Sequence, residues 1–225
     1  LKILITNWAL DRRAGSELFV KDLAVKLLSL GHEPYVYSPI LGGVAKEIAE
    51  AGVPVFSDLN AIKVVPDVIH GQHCIHAINA LIRFPDVPAI YVCHERLSPQ
   101  GVPPIHKQIA RYVAVDKNCS ERLTLSGVPD EKIEIIANSV DMDRFKQRAN
   151  VLPVKPKKAL IFSSFKKSKI VLGKIKNACR KINVQLDVIG DVPGAANQPE
   201  KFLSDYELVF AKGRCAIEAL VSGAS

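Results

Sequence analysis

Strand-like apolar runs alternate with helix-period segments along nearly the whole chain, and that alternation is the pattern of parallel βαβ units. Strands are expected over 2–6, 34–38, 67–70, 88–93, 111–115 and 133–136, with helices over 16–30, 43–51, 75–83 and 118–126. In the first helix Ser16 stands as cap and Glu17 sits at the positive end of the dipole. Leu18, Phe19, Leu23, Leu27, Leu28 and Leu30 form its expected apolar face, and Gly31 ends it. Residues 146–158 are charged, contain Pro153 and Pro156 and lack apolar period, which reads as a linker. Beyond it the alternation restarts: strand 159–163, helix 168–182, strand 184–189, a Gly/Pro/Asn loop over 190–199, strand 207–210 and helix 213–222. The reading is an α/β chain of two domains, 1–150 and 151–225. Three parallel strands bury little surface, so the second domain is expected to be truncated or incomplete.

Composition narrows the class. In the 225 residues, 48% hydrophobic and 24% charged content excludes a disordered chain. No apolar run approaches the roughly 18 residues of a membrane span. The chain opens on strand-like residues without a charged-then-apolar leader, so nothing marks it for export. Five cysteines, scattered and without a C-x-x-C, fit a reducing, cytoplasmic compartment and small buried packing roles. The net charge of +7 is concentrated: residues 151–225 carry 13 Lys/Arg against 6 Asp/Glu, whereas 1–150 carry 17 of each. That third suits an anionic partner, either nucleotide phosphates or an acidic membrane surface, with a plain solvated lysine face as the alternative. It lacks the recognition-helix or stacking pattern of a nucleic-acid binder, so no nucleic-acid partner is expected.

Several clusters carry candidate chemistry. Ala14-Gly15-Ser16-Glu17 follows a strand and opens a helix, which aims backbone N–H groups at the sheet edge and suits phosphate or sugar hydroxyls. One glycine is too few for a dinucleotide fingerprint. His70, His73, His76 and His94 crowd one stretch, and His70 and His94 end expected strands; singly, such histidines are more often structural than functional. Their spacing with no accompanying carboxylate makes a poor metal site. Asp141-x-Asp143 fits turn and first-turn chemistry better than a metal-bound diphosphate. In the second domain, Gly213 and the N–H groups after it form an anion nest, Arg214 adds a fixed positive charge, and Glu218 can accept two ribose hydroxyls. An ordinary amphipathic helix is the plain alternative there.

These segments, together with Asp67-Val68-Ile69-His70-Gly71-Gln72-His73, Tyr91-Val92-Cys93-His94 and Asn138-Ser139-Val140-Asp141-Met142-Asp143-Arg144-Phe145, resemble the landmarks of retaining GT-B glycosyltransferases of the family-4 type (glycosyl transferases group 1). Ala114-Val115-Asp116 resembles a further strand end, with Asp116 in place of a serine as helix cap. The resemblance implies two Rossmann-like domains, an acceptor-side domain first and a nucleotide-sugar donor domain second, with the chemistry in a cleft between them. It implies His94 as the catalytic residue, with Gly15, Ser16, Glu17 and His73 in the cleft. Glu218 corresponds to the second glutamate of the family's E-x7-E motif, and Phe210 stands where the first belongs. The family's Gly-Arg pair is absent after the second domain's first strand, where Lys166, Lys167 or Lys169 can stand in beside Gly213 and Arg214. Ser139 replaces a family glycine; a left-handed backbone there would cost about 1 kcal/mol.

The implied activity is transfer of a sugar from a nucleoside-diphosphate-sugar to a hydroxyl of a sugar, lipid-linked or small-molecule acceptor. No cofactor and no metal are expected, since cations and a helix N-terminus can carry the leaving-group charge. The implied setting is cytoplasmic, with peripheral membrane contact. Two other readings share the scaffold: a nucleotide-sugar epimerase or phosphorylase, and a non-catalytic nucleotide- or sugar-binding relative.

Overall fold

The computed structural model describes residues 1–162, 168–189 and 198–225, which group into two compact units, Leu1–Ala137 and Asn138–Ser225. In the first unit the strands are β1 (Lys2–Thr6), β2 (Ala9–Leu10), β3 (Glu33–Tyr37), β4 (Ile40–Leu41), β5 (Val55–Phe56), β6 (Val68–Gln72), β7 (Ala89–Cys93), β8 (Ile109–Ala114) and β9 (Ile133–Ile135). Seven of them form a parallel sheet in the order β5-β3-β1-β6-β7-β8-β9, and β2 pairs with β4 apart from it. The helices are α1 (Gly15–Ser29), α2 (Gly43–Glu50), α3 (Cys74–Arg83) and α4 (Lys117–Leu125).

Side-chain alternation along the strands explains the layering. Ile3 and Ile5 of β1 pack with Val20 and Ala24 of α1 and with Val44 and Ile48 of α2. Leu4 points the other way, into a cluster with Ala77, Ala80 and Leu81 of α3, Tyr91, Tyr112 and Leu123 of α4. A sheet covered on both faces needs nearly unbroken apolar strands, which is what made these strands legible.

The first helix differs from expectation in two respects. It begins a residue earlier, with Ala14 as N-cap and no side-chain cap. Ser16 therefore lies inside the first turn, where its hydroxyl donates to Oε2 of Glu17 at 2.9 Å instead of capping. The buried stripe is Glu17, Val20 and Ala24; Leu23 and Leu27 pack partly buried against the same core, whereas Leu28 and Leu30 are exposed. In α4 the expected cap is present: Oδ1 of Asp116 accepts from the Cys119 N–H at 2.8 Å.

In the second unit β10 (Lys158–Phe162) lies between β11 (Gln185–Ile189) and β12 (Leu208–Ala211), all parallel. The helices are α5 (Lys169–Lys181) and α6 (Arg214–Val221). Its core joins Phe145, Leu160, Phe162, Leu203, Tyr206 and Ala219. Residues 138–150, which composition assigns to the first domain, belong with this unit: Phe145 is 1% exposed in that core, and the Arg148 N–H donates to the Ser222 carbonyl at 3.1 Å. Residues 141–145 form a turn and not the expected helix start, with Oδ1 of Asp141 accepting from the Asp143 N–H at 2.9 Å. Among the described non-glycine residues only His73 and Asn183 have positive φ, so Ser139 does not bear the left-handed cost. Among the described residues no helix is long and apolar enough to cross a membrane.

Candidate functional site

Strand β1 is flanked by β3 on one side and β6 on the other. The chain leaves it in one direction and later returns on the opposite side, so the connections diverge at the C-terminal ends of β1 and β6. In open parallel sheets that divergence opens a crevice where ligands bind. Asn7 and Trp8 follow β1 there, Gln72 ends β6, His73 follows it, and His94 follows β7. The two central strands are stapled at this edge: Oγ1 of Thr6 donates to the Gln72 carbonyl at 3.1 Å and accepts from the Gln72 N–H at 3.0 Å. The Trp8 N–H donates to Nδ1 of His73 at 3.3 Å.

His73 caps α3 with φ 58° and ψ 119°, a backbone conformation that side-chain-bearing residues rarely adopt. Such a residue holds about 1–3 kcal/mol of strain and persists where its surroundings over-determine it, which is common at functional positions. Here the Thr6–Gln72 staple and the start of α3 fix it from both sides.

The imidazoles are neutral. Desolvation, aided by repulsion from His73 and His70, pushes His94 down to about 3. Desolvation, with His76 adding to it, pushes His73 down to about 4, and burial alone takes His70 to about 4. His94 Nε2 donates to Oε1 of Gln72 at 2.7 Å, and its ring meets the Phe19 ring edge-on at 4.8 Å. That bond leaves Nδ1 of His94 as the unprotonated nitrogen, and it has no hydrogen-bond partner among the described residues. In His73 the roles are reversed: Nδ1 accepts from Trp8, leaving Nε2–H as a donor. The crevice edge therefore offers one lone pair and one N–H from two uncharged rings, a complementary set for a hydroxyl. Buried polar atoms without partners gather at the same edge: Oδ1 of Asn7, Nδ1 of His70, Nε2 of Gln72 and Nδ1 of His76. Four histidines meet here, yet among the described residues no group of three or more potential ligands is arranged to hold a metal ion.

The start of α1 adds a second wall. A Cβ built on Gly15 would meet nothing within 4 Å, so the glycine leaves open space over the first N–H groups of a fifteen-residue helix. Glu17 is 6% exposed. Burial pushes its carboxyl up, opposed by its own backbone N–H and the Ser16 hydroxyl. Its charge is thus destabilised by desolvation, whereas sequence alone suggested a favourable dipole partner.

In the second unit Gly213 caps α6 with φ 56° and ψ −136°, which only glycine adopts readily, and the space beside its Cα is open. Arg214 Nε donates to Oε1 of Glu218 at 2.8 Å, and their side chains are 13% and 5% exposed. The cation and carboxylate expected to meet a diphosphate and a ribose are therefore paired with each other one turn apart. Lys169 is exposed in the first turn of α5. Lys166 and Lys167 lie outside the described residues.

The fold brings Gly15, Ser16, Glu17, His73 and His94 to the C-terminal side of one sheet, and places Lys169, Gly213, Arg214 and Glu218 in the other unit. Sequence reasoning missed Asn7, Trp8, Phe19 and Gln72 as site residues. The available signal was position: Asn7 and Trp8 directly follow the first strand, and Gln72 ends the strand beside it.

Residues 54–144 match the model of Glycosyltransferase Family 4, a stretch that includes Gln72, His73 and His94. The sequence matches no curated protein. Solved structures of similar fold include Alr3699/HepE from Anabaena in complex with UDP, at 15% identity and TM-score 0.69, covering 100% of this chain and 79% of that one. Another is sucrose-phosphate synthase from Thermosynechococcus elongatus, at 12% identity and TM-score 0.61, covering 99% and 79%. A third is AviGT4, a glycosyltransferase involved in avilamycin A biosynthesis, at 16% identity and TM-score 0.60, covering 100% and 77%. The family match and these likenesses agree with the resemblance read from the sequence: the chain has the α/β fold of the GT-B glycosyltransferases.

Proposed function

We propose that this chain is a glycosyltransferase that moves a hexosyl group from a nucleoside-diphosphate-sugar to a hydroxyl acceptor, with retention of configuration and without a metal or other cofactor. The observation that carries the reading is the neutral His94, gripped by Gln72 and Phe19 with its Nδ1 lone pair unclaimed. In the reaction the acceptor oxygen bonds to the anomeric carbon as the bond to the diphosphate breaks. An imidazole with a pKa near 3 is too weak a base to keep the acceptor proton at neutral pH. It therefore accepts a hydrogen bond and orients the hydroxyl, and the proton departs with the nucleoside diphosphate. His73, Gly15, Ser16 and Glu17 shape the same edge. In the second unit Lys166, Lys167, Lys169, Arg214 and the Gly213 turn offset the leaving diphosphate charge, and Glu218 takes the ribose. The solved relative bound to UDP makes uridine the first base to try. The basic excess also suits peripheral contact with an acidic membrane surface in the cytoplasm.

Thermal-shift screening with uridine, guanosine and adenosine diphosphates should give stabilisation by one of them. Release of that diphosphate from the matching sugar nucleotide in the presence of acceptor should then fall by about 100-fold in His94→Ala, the order of effect expected when a reacting group loses its orientation. No shift with any diphosphate defeats the proposal. A second reading, a binding protein without turnover, is favoured by the mutual pairing of Arg214 and Glu218 and by Phe210 at the motif's first position; diphosphate binding with no transfer would select it.

A further inference from the structure

Cys93 is the last residue of β7, one position before His94, and Cys119 lies in the first turn of α4. Strand pairing and a helix cap bring the two together. Cys93 lies opposite Ala114 of β8, the Val115 N–H donates to the Cys93 carbonyl at 3.3 Å, and Asp116 turns the chain into α4 by accepting from the Cys119 N–H at 2.8 Å. The two thiols are hydrogen-bonded to each other, at 0% and 1% exposure. Cys93 Sγ also donates to the Glu95 carbonyl at 3.6 Å. Nη1 of Arg122 donates to that same carbonyl at 2.7 Å, and its Nη2 donates to the Ser98 carbonyl at 2.7 Å. His94 is thus held through its ring by Gln72, and the backbone beside it is held by a thiol and a guanidinium.

Small apolar side chains would fill this space as well, and a thiol differs from them by its chemistry. The Cys119 S–H donated to its sulfur pulls the Cys93 thiol below its ordinary range against the effect of burial, and Arg122 adds to the pull. The same bond pushes the Cys119 thiol up. Cys93 is therefore the sulfur that ionises first, with a second thiol already in contact to resolve it. We propose that Cys93 and Cys119 are a modification site that closes to a reversible disulfide on exposure to a hydroperoxide, and that the bond displaces His94. Hydrogen peroxide is close to water in size, so local opening admits it to a buried thiol. The Cys93 thiolate attacks one peroxide oxygen, expels hydroxide and becomes a sulfenic acid. The Cys119 sulfur then attacks the Cys93 sulfur and expels water; with the hydroxide reprotonated, two thiols and one peroxide give one disulfide and two waters. The bond removes the S–H that reaches Glu95 and draws the end of β7 toward α4, which loosens the Gln72 and Phe19 contacts of His94. The effect on activity rests on the transfer reaction proposed above; the disulfide and the displacement do not.

The reduced full chain is treated with hydrogen peroxide, the remaining thiols are alkylated, and peptides are mapped by mass before and after dithiothreitol. The expected product has lost two of its five thiols, links Cys93 to Cys119 and reverts with the reductant. The imidazole signals of His94 should shift on oxidation while those of His32 and His106 stay in place. Turnover of the sugar nucleotide should fall about tenfold or more and recover with dithiothreitol. Cys119→Ser and Cys119→Ala should keep the turnover of the reduced chain and lose both the linkage and the reversible inactivation; two replacements are used because a hydroxyl and a methyl load the core differently. Oxidation of Cys74 or Cys215 without a Cys93–Cys119 linkage, a Cys93 oxidised beyond recovery by dithiothreitol, or a linked chain whose His94 signals do not move overturns the proposal. Reversible inactivation that persists in the Cys119 variants also overturns it. A linked chain with shifted His94 signals but no transfer in either redox state keeps the disulfide and overturns the transfer reaction.

Discussion

At the scale of single residues, the crevice is set by groups that would be ordinary elsewhere. His70, His73 and His94 are folded in neutral form, at about 4, 4 and 3, below the roughly 6.5 of an unfolded histidine. The unfolded chain then binds more protons as pH falls below 6.5, so their contribution to stability is present above that value and is lost progressively down to about 3. Melting temperature should therefore decline between pH 6.5 and 4, and His94→Gln, which retains a polar partner for Gln72, should flatten part of the decline. Imidazole resonances followed by NMR should show no titration of these three histidines above about pH 5.5, and a midpoint near 6.5 for any of them would refute the burial argument. The sequence displays the crowding of histidines, but their neutrality arises from packing against Phe19 and one another. The positive φ of His73 was equally illegible, since only glycine advertises that conformation in a sequence.

At the scale of elements, strands and helices were legible because each is long enough to repeat its apolar period and is bounded by glycine, proline or a cap. β2, β4 and β5 have two residues each, and no period can be read from two residues. The contact that positions the site is that of β6 with α3. A Cβ on Gly71 would lie 3.0 Å from the Ala77 Cβ and 3.3 Å from the Ile90 carbonyl, so the glycine allows the helix to sit against the strand that carries Gln72 and His73. Gly71→Ala should lose about 1–3 kcal/mol by overpacking, read as a lower urea midpoint at unchanged slope. An unchanged midpoint would mean that the helix shifts freely, and with it the fixed geometry of His73 would be in doubt.

At the scale of the whole molecule, the charge belongs to one unit. Residues 138–225 carry 16 Lys/Arg against 8 Asp/Glu, and residues 1–137 carry 14 against 15. If that excess serves diphosphate binding, affinity for the preferred nucleoside diphosphate should fall several-fold as ionic strength rises from about 0.05 to 0.3 M, because exposed charges are screened within about a Debye length. Salt-independent affinity would instead assign binding to buried groups. The division between units was only partly visible, since a charged, proline-containing stretch looks like a linker whether or not one of its neighbours folds back. Phe145 does fold back into the second core, and the unit begins before the proline segment for that reason. What the sequence determined by itself is the order of elements, the parallel α/β class and the place of His94 directly after its strand, because periodicity, caps and composition are local properties; His70, expected to end its strand, lies inside β6, which runs on to Gln72. The tertiary structure alone decided that Trp8, Gln72, His73 and His94 share one edge, that the imidazoles are neutral there, and that Arg214 and Glu218 are bound to each other. Those properties depend on desolvation and on contacts between distant positions, which exist only once the strands are set side by side.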